Sequence, residues 1–203
     1  MTFLENMDFQ QKIMKNACGT KASPYINNCG FNGALAAFQT FNPYLIIPPT
    51  NTTFIKENLL NITQFNASST LENIAYLYVP TACQNGQLCG FHFAFHGCMQ
   101  SYGDIQDQFI TKLGINEIAE ANNIIVYYPQ VVNSTAYPTG CFDWWGYTDG
   151  VASNGTYATK NGKQISAIWD TFLSLWDSTI TAASTYFKIG LIVILSLIFI
   201  WLA

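Results

Sequence analysis

Apolar and polar residues alternate strictly over Phe91-His-Phe-Ala-Phe-His96. That period of two predicts a half-buried strand at Phe91–Phe95, with Phe91, Phe93 and Phe95 on one face and His92, Ala94 and His96 on the other. The pattern breaks at His96-Gly97 into a polar turn (Gln100, Ser101, Tyr102, Gly103, Asp104). Ile105, Phe109, Ile110, Leu113 and Ile118 then mark an interrupted amphipathic helix near 105–121. Ala75–Val79 reads as a strand stopped by Pro80, and a short Cys83-to-Cys89 loop would lead from it into the Phe91 strand as an antiparallel pair. Ile124–Tyr128, closed by Pro129, is fully apolar, as expected of a strand buried in a parallel sheet. Ile165, Ile168, Trp169, Phe172 and Trp176 give the last domain helix, near 163–176. A helix begins around Ala34–Phe38 after Gly30 and Gly33. Asn42 to Ser69, Asn/Thr-rich and holding Pro48-Pro49, reads as a connecting loop. Residues 1–16 are unpatterned, and no internal repeat is present.

A strand that ends in His-Gly just before a helix is where α/β-hydrolases place one backbone N–H of the oxyanion hole. Such a donor stabilises the negative oxygen formed when an ester carbonyl is attacked. The blander alternative is a strand end at which Gly97 merely permits the turn.

Composition narrows the class. The 203 residues are half apolar and carry a formal net charge of -4 with no basic run. One domain with a real core is possible, and nucleic-acid binding has no electrostatic support. Fifteen Phe and eleven Tyr beside few charges suit an extracellular domain that meets apolar material, though core packing accounts for most of them. Six cysteines lie as local pairs along the chain, and six allow fifteen connectivities. No Cys or His spacing indicates zinc, and no metal or cofactor is expected. Asn-x-Ser/Thr sequons stand at Asn51, Asn61, Asn66, Asn133 and Asn154, a modest excess over the roughly three expected by chance. Cysteines and sequons together lean towards an oxidising, glycosylating compartment.

The two ends conflict. Residues 189–203 are apolar apart from Gly190 and Ser196, but fifteen helical residues span only about 22 Å against a hydrocarbon core of about 30 Å. A GPI signal, with small residues at Asp177-Ser178-Thr179 and a spacer over 177–188, fits this tail. A spanning helix that extends back to Ala182 and tolerates Lys188 also fits. Either ties the domain to a membrane. Met1 to Gln10 offers no basic or apolar leader region, so the expectation is a chain whose beginning is missing. The competing account is a tail-anchored domain facing the cytosol, with idle sequons and reduced cysteines.

His96-Gly-Cys-Met-Gln-Ser101, Ala121-Asn-Asn-Ile-Ile-Val-Tyr-Tyr-Pro-Gln130 and Gly140-Cys-Phe-Asp-Trp-Trp-Gly-Tyr147 together resemble the extracellular poly(3-hydroxybutyrate) depolymerases, single-domain circularly permuted α/β-hydrolases. Ser23-Pro-Tyr-Ile-Asn-Asn-Cys-Gly-Phe-Asn-Gly33 and Tyr157-Ala-Thr-Lys-Asn-Gly-Lys-Gln164 look like flanking segments of the same family. The resemblance covers about residues 17–176 and implies an α/β fold that is the C-terminal part of such a domain. It implies the backbone N–H of Cys98 as oxyanion donor, and a Cys98–Cys141 disulfide pinning that turn to the Trp-rich loop. With the short loops, it also favours Cys18–Cys29 and Cys83–Cys89. The family's Trp loop borders the ester crevice, which makes Trp144 the leading substrate contact and Trp145 the second. Phe142 stands where the family usually has Trp.

The family's permutation puts nucleophile Ser, then Asp, then His ahead of the His-Gly-Cys strand, and Met1-Thr-Phe begins about where its catalytic His segment lies. No G-x-S-x-G is present, and Val151-Ala-Ser-Asn-Gly155 reads as a turn. No His follows His96, so the standard order cannot supply a base downstream. No catalytic triad residue is expected in this chain. The leading expectation is a secreted or surface-anchored ester-hydrolase fragment carrying the oxyanion and substrate half, acting on an ester or polyester. Its competitor is a non-catalytic, membrane-tethered glycoprotein that still binds apolar polymer. A truncated sheet should also leave apolar surface exposed at one edge or face.

Overall fold

The computed structural model describes residues 16–41, 46–65, 70–133, 139–149 and 155–186, with side chains described as far as Trp176. The 1–15 and 187–203 segments, and with them the apolar tail 189–203, lie outside the described residues. Among the described residues no helix is long and apolar enough to cross a membrane.

Two short strands, β1 (Asn16–Ala17) and β2 (Asn27–Asn28), pair in parallel, and the Cys18–Cys29 disulfide staples them. Helix α1 (Gly33–Phe41) follows. The main sheet holds β3 (Leu59–Thr63), β4 (Ile74–Tyr78), β5 (Gly90–Phe93) and β6 (Ile124–Tyr128) in the order β3-β4-β6-β5. A short helix α2 (Thr81–Gln84) carries Cys83, bonded to Cys89. Between β5 and β6 come α3 (Tyr102–Ile105), α4 (Gln108–Lys112) and α5 (Ile115–Asn122). The last element is α6 (Lys163–Tyr186).

β6 runs antiparallel to β4 and parallel to β5. Elements pack on both faces of β6, which is why Ile124–Tyr128 needs no polar alternation. One face of the sheet turns Tyr76, Tyr78, Val126, Tyr128 and Ala94 into a core shared with α1 and α3 to α5. The opposite face sets Ala75, Leu77, Ile125 and Tyr127 against Ala167 and Ile168 of α6. Helices therefore cover both faces, giving an α/β architecture. The buried tyrosines keep their hydroxyls satisfied: Tyr78 donates to Glu120, Tyr128 to Asn116 and Tyr127 to Gln64.

Several expectations need correction. The strands near 75–79 and 91–95 do not form a hairpin, because β6 lies between them. A local reading pairs neighbours in sequence; here the more apolar β6 takes the central place. The segment 42–69 is not wholly a loop. A 3-10 turn (Lys56–Asn58) leads into β3, which is paired with β4 over its full length. Asn61, of a type depleted in strands, stands at an exposed position of that edge strand and lowers its apparent β-propensity. The helix near 105–121 is broken into three, with Gln106 at φ 58 and Gly114 at φ 76 marking the breaks. Helix α6 itself runs on into the 177–188 stretch as far as Tyr186, since Asp177 to Tyr186 contains no Gly or Pro to stop it.

Candidate functional site

β5 ends at Phe93, although the Ala94 N–H still donates to the Tyr127 carbonyl at 2.8 Å. The chain then turns across residues 97–102, and almost every N–H there is committed. Gly97 donates to Gln100 Oε1 at 3.0 Å, Met99 to the Thr139 carbonyl at 2.6 Å, and Gln100 to the Gly97 carbonyl at 3.2 Å. Ser101 donates to Asp104 Oδ2 at 3.3 Å, and Tyr102 to Gln130 Oε1 at 2.8 Å. Cys98 is the exception: it is exposed, and its N–H has no acceptor among the described residues. An unpaired N–H on a fixed turn can serve a ligand oxygen without first giving up an internal bond.

The turn is held from three sides. Gln100 is buried, and its Nε2 donates to the carbonyls of Pro24 and Tyr25 at 3.1 and 3.3 Å, tying the turn to the β1–β2 region. Gln100 Oε1 lies close over Gly97, where a Cβ would come within 2.8 Å of it and make the side chain shift. Ser101 Oγ donates to Asp104 Oδ2 at 2.6 Å and starts α3, while Asn133 Nδ2 donates to Asp104 Oδ1 at 2.6 Å. The Cys98–Cys141 disulfide fixes the third side.

Both histidines are buried, His96 against the turn and His92 against Phe38 of α1. His96 Nδ1 donates to the Gly97 carbonyl at 2.8 Å, and its Nε2 accepts the Val131 N–H at 3.4 Å. Burial lowers its pKa to about 4, against the opposing pull of the Gly97 carbonyl and Asp104. His92 packs on Phe38 at 4.5 Å and is likewise lowered to about 4 by burial. At neutral pH both are uncharged.

The loop beyond Cys141 is organised by one carboxylate. Asp143 Oδ1 accepts the N–H groups of Trp145, Gly146 and Tyr147 at 3.3, 2.6 and 3.0 Å. Its Oδ2 accepts the Thr148 N–H at 2.9 Å and the Thr148 hydroxyl at 2.5 Å. The Asp143 N–H donates to Gln164 Oε1 at 2.7 Å, and Gln164 Nε2 donates to Thr70 Oγ1 and the Tyr147 hydroxyl, so α6 holds the loop from below. With the backbone gathered inward, the indoles stand outward. Trp144 is 60 % exposed and Trp145 43 %, their rings edge-to-face at 5.1 Å. Phe142 instead packs inward on Phe95 and His96.

All three disulfides are formed in the pairing given above. Asn51, Asn61 and Asn133 are exposed, Asn61 within β3, while Asn66 and Asn154 lie outside the described residues. Gln100, Asp143 and Gln164 have no assigned role in the sequence reading. Asp143 could have been found, because an Asp followed by Gly146 and Thr148 is an Asx-turn signature. The two glutamines carried no comparable local signal, since each braces its loop through a partner far along the chain, 75 and 94 residues away.

No protein-family model matches the chain. It is 38 % identical over 160 residues to a poly(3-hydroxybutyrate) depolymerase of Delftia acidovorans, covering 75 % of this chain and 30 % of the relative. It is 35 % identical over 146 residues to a polyhydroxybutyrate depolymerase of Talaromyces funiculosus, covering 65 % of this chain and 42 % of the relative. The chain thus spans well under half the length of these curated relatives. Two solved structures share its fold. A PHB depolymerase complexed with an R3HB trimer matches with a TM-score of 0.67 at 32 % identity, over 77 % of this chain and 52 % of that one. The PHB depolymerase from Penicillium funiculosum matches with a TM-score of 0.64 at 30 % identity and the same coverage.

Proposed function

We propose a function from the premise that this chain belongs to the poly(3-hydroxybutyrate) depolymerase family, of whose members it spans a part. It supplies the oxyanion-hole and substrate-crevice part of a carboxylic ester hydrolase. The observation that carries this reading is the uncommitted N–H of the exposed residue Cys98, just beyond the C-terminal end of a strand parallel to β6, where α/β sheets place their ligands. When a hydroxyl nucleophile adds to an ester carbonyl, the carbonyl oxygen gains charge and Cys98 N–H donates to it. Trp144, and then Trp145, provide exposed apolar surface for the acyl chain of a polyester.

The nucleophile, acid and base are proposed to come from outside these residues. Supporting this, His96 has both ring nitrogens engaged and His92 is buried against Phe38, so neither can accept a proton from a bound hydroxyl. The proposed location is extracellular or at the cell surface, with the apolarity of 189–203 favouring membrane attachment. Partition of the expressed full chain between membrane and soluble fractions tests that attachment.

The test of function is an assay of the purified full chain on a chromogenic butyrate ester and on suspended polyhydroxybutyrate. The chain is expected to adsorb to the polymer, to lose adsorption on Trp144→Ala, and to show no turnover alone. Vigorous turnover abolished by His92→Gln or His96→Gln would overturn the reading. Adsorption that persists without turnover even when the part of a depolymerase that this chain does not match is supplied favours a purely binding role.

A further inference from the structure

β3 forms one outer edge of the main sheet, and its hydrogen bonds decide which of its residues look outward. The Val79 N–H donates to the Asn58 carbonyl at 2.9 Å and the Gln64 N–H to the Asn73 carbonyl at 3.0 Å, so residues 58 and 64 turn their peptide groups towards β4 and its flanks. By alternation Leu60 and Ile62 do the same, and the peptide groups of Leu59, Asn61 and Thr63 face away from the sheet. The Leu59 N–H turns back to the Lys56 carbonyl. Asn61 and Thr63 therefore hold the outward N–H groups of this edge, and no strand lies beyond them among the described residues.

The edge lacks the ordinary guards. Open edges are kept from pairing with other chains by Lys, Pro, a bulge or an inward-pointing charge. Leu59 to Phe65 contains no charged residue and no Pro, and β3 pairs with β4 residue for residue without a bulge. Leu60, Phe65 and, on β4, Ile74 are each more than two-fifths exposed beside it. An uncharged, Pro-free strand at an open edge is a template for association. What this edge does carry is Asn61-Ile-Thr63, a sequon at the middle of the five-residue strand, with Asn61 and Thr63 both exposed. The other described sequon asparagines are placed differently. Asn51 stands in a turn at φ 59, and Asn133 spends its Nδ2 on Asp104.

We propose that Asn61 is an N-glycosylation site whose oligosaccharide closes the β3 edge to strand addition, above all to a second copy of this chain. The proposal rests on the extracellular reading given above. The glycosyl donor is a lipid-linked oligosaccharyl diphosphate. Asn61 Nδ2 bonds to the anomeric carbon of the first sugar, and the bond from that carbon to the diphosphate oxygen breaks. The amide gives up one proton and the lipid diphosphate leaves. Two copies related by a two-fold axis would pair β3 antiparallel to itself, with their Asn61 side chains meeting at the centre. A bulky, hydrated oligosaccharide on each prevents that approach.

The test produces the full chain in a eukaryotic secretory host behind a cleavable leader. Peptide masses before and after enzymatic deglycosylation report occupancy at Asn51 and Asn61, and sugar is expected at Asn61. Sedimentation in one mild detergent then compares variants, each checked for folding by its thermal melt. Asn61→Gln should self-associate at concentrations at least about tenfold lower than the parent. Amide exchange at Thr63 should slow roughly tenfold in the associated form. Thr63→Ser keeps the sequon and should match the parent, while Asn61→Lys replaces the sugar by a charge and should stay monomeric. A bare Asn61 overturns the proposal, whether or not Asn51 carries sugar. So does association of Asn61→Gln no stronger than the parent's, equally strong in Asn61→Lys, or without protection at Thr63. The same masses measured on the chain from its own cells separate the two readings. Sugar at Asn61 in the secretory host, but at no asparagine of the native protein, removes the extracellular reading and leaves Asn61 as the acceptor on this edge.

Discussion

The Cys98–Cys141 disulfide joins two loops that solve opposite problems. On the Cys98 side, neighbouring N–H groups find internal acceptors and one is left over, so the turn keeps a polar contact available. On the Cys141 side, one carboxylate collects four N–H groups and a hydroxyl, so the backbone is closed and aromatic rings are what remains outside. A loop offers a backbone donor or an apolar grip according to where its own peptide groups are satisfied. The residue types at the surface follow from that choice.

Cutting the link between the loops should have the largest effect. The Cys98→Ala/Cys141→Ala double variant opens a closure of 43 residues, which chain-entropy arguments put at about 4 kcal/mol. Urea denaturation measures it, and a loss under about 1 kcal/mol would mean the two loops are held together by other contacts. Amide exchange at Met99 should quicken in parallel, since its bond to the Thr139 carbonyl spans the same gap.

The acid side of the comparison comes next. His96 has a folded pKa of about 4 against 6.5 for the free group. Between those values the unfolded state binds the extra proton, so stability is full above about pH 6.5 and falls as pH drops towards 4. His96 alone should account for roughly 3 kcal/mol of that loss, and His92 adds a similar slope. Denaturation midpoints across this window, with and without His96→Gln, check it. An unchanged slope in the variant would show that His96 is not the buried neutral group beneath the turn.

Asp143→Ala should cost roughly 2–3 kcal/mol by leaving several N–H groups without an acceptor. It should also alter the near-ultraviolet circular dichroism of the Trp loop while sparing the turn at Cys98. A variant as stable as the parent would mean that water replaces the carboxylate at no penalty. The smallest effect on folding belongs to Trp144→Ala, within about 0.5 kcal/mol for so exposed a ring. Its adsorption to polymer should nonetheless drop at least tenfold, on the order of 1.4 kcal/mol. Strong destabilisation by this change would mean that the Trp144 ring packs against its neighbours more tightly than its exposure indicates.

What could be read locally was read from periodicity. The alternation at Phe91–Phe95 assigns its two faces as the structure does, because side-chain direction in a strand depends only on sequence parity. The apolar run Ile124–Tyr128 is unbroken because both faces of that strand are covered by packed elements. The breaks at Gln106 and Gly114 divide a helix whose interruption was legible, although its three pieces were not. β3 was hidden because an edge strand bearing Asn61 and Thr63 lacks the apolar pattern that marks a buried one.

The sequence by itself determined the faces of the Phe91 strand, the buried apolar strand at Ile124–Tyr128 and the helix that begins at Lys163. These depend on residues within a turn or two of one another, where covalent geometry fixes the relation. Only the tertiary structure decided that β6 separates β4 from β5, that Gln100 and Gln164 brace the two loops, and that of the N–H groups from 97 to 102 the one on Cys98 has no described partner. Those outcomes depend on partners far along the chain, and whether a peptide group is satisfied is known only when every neighbouring acceptor has been placed.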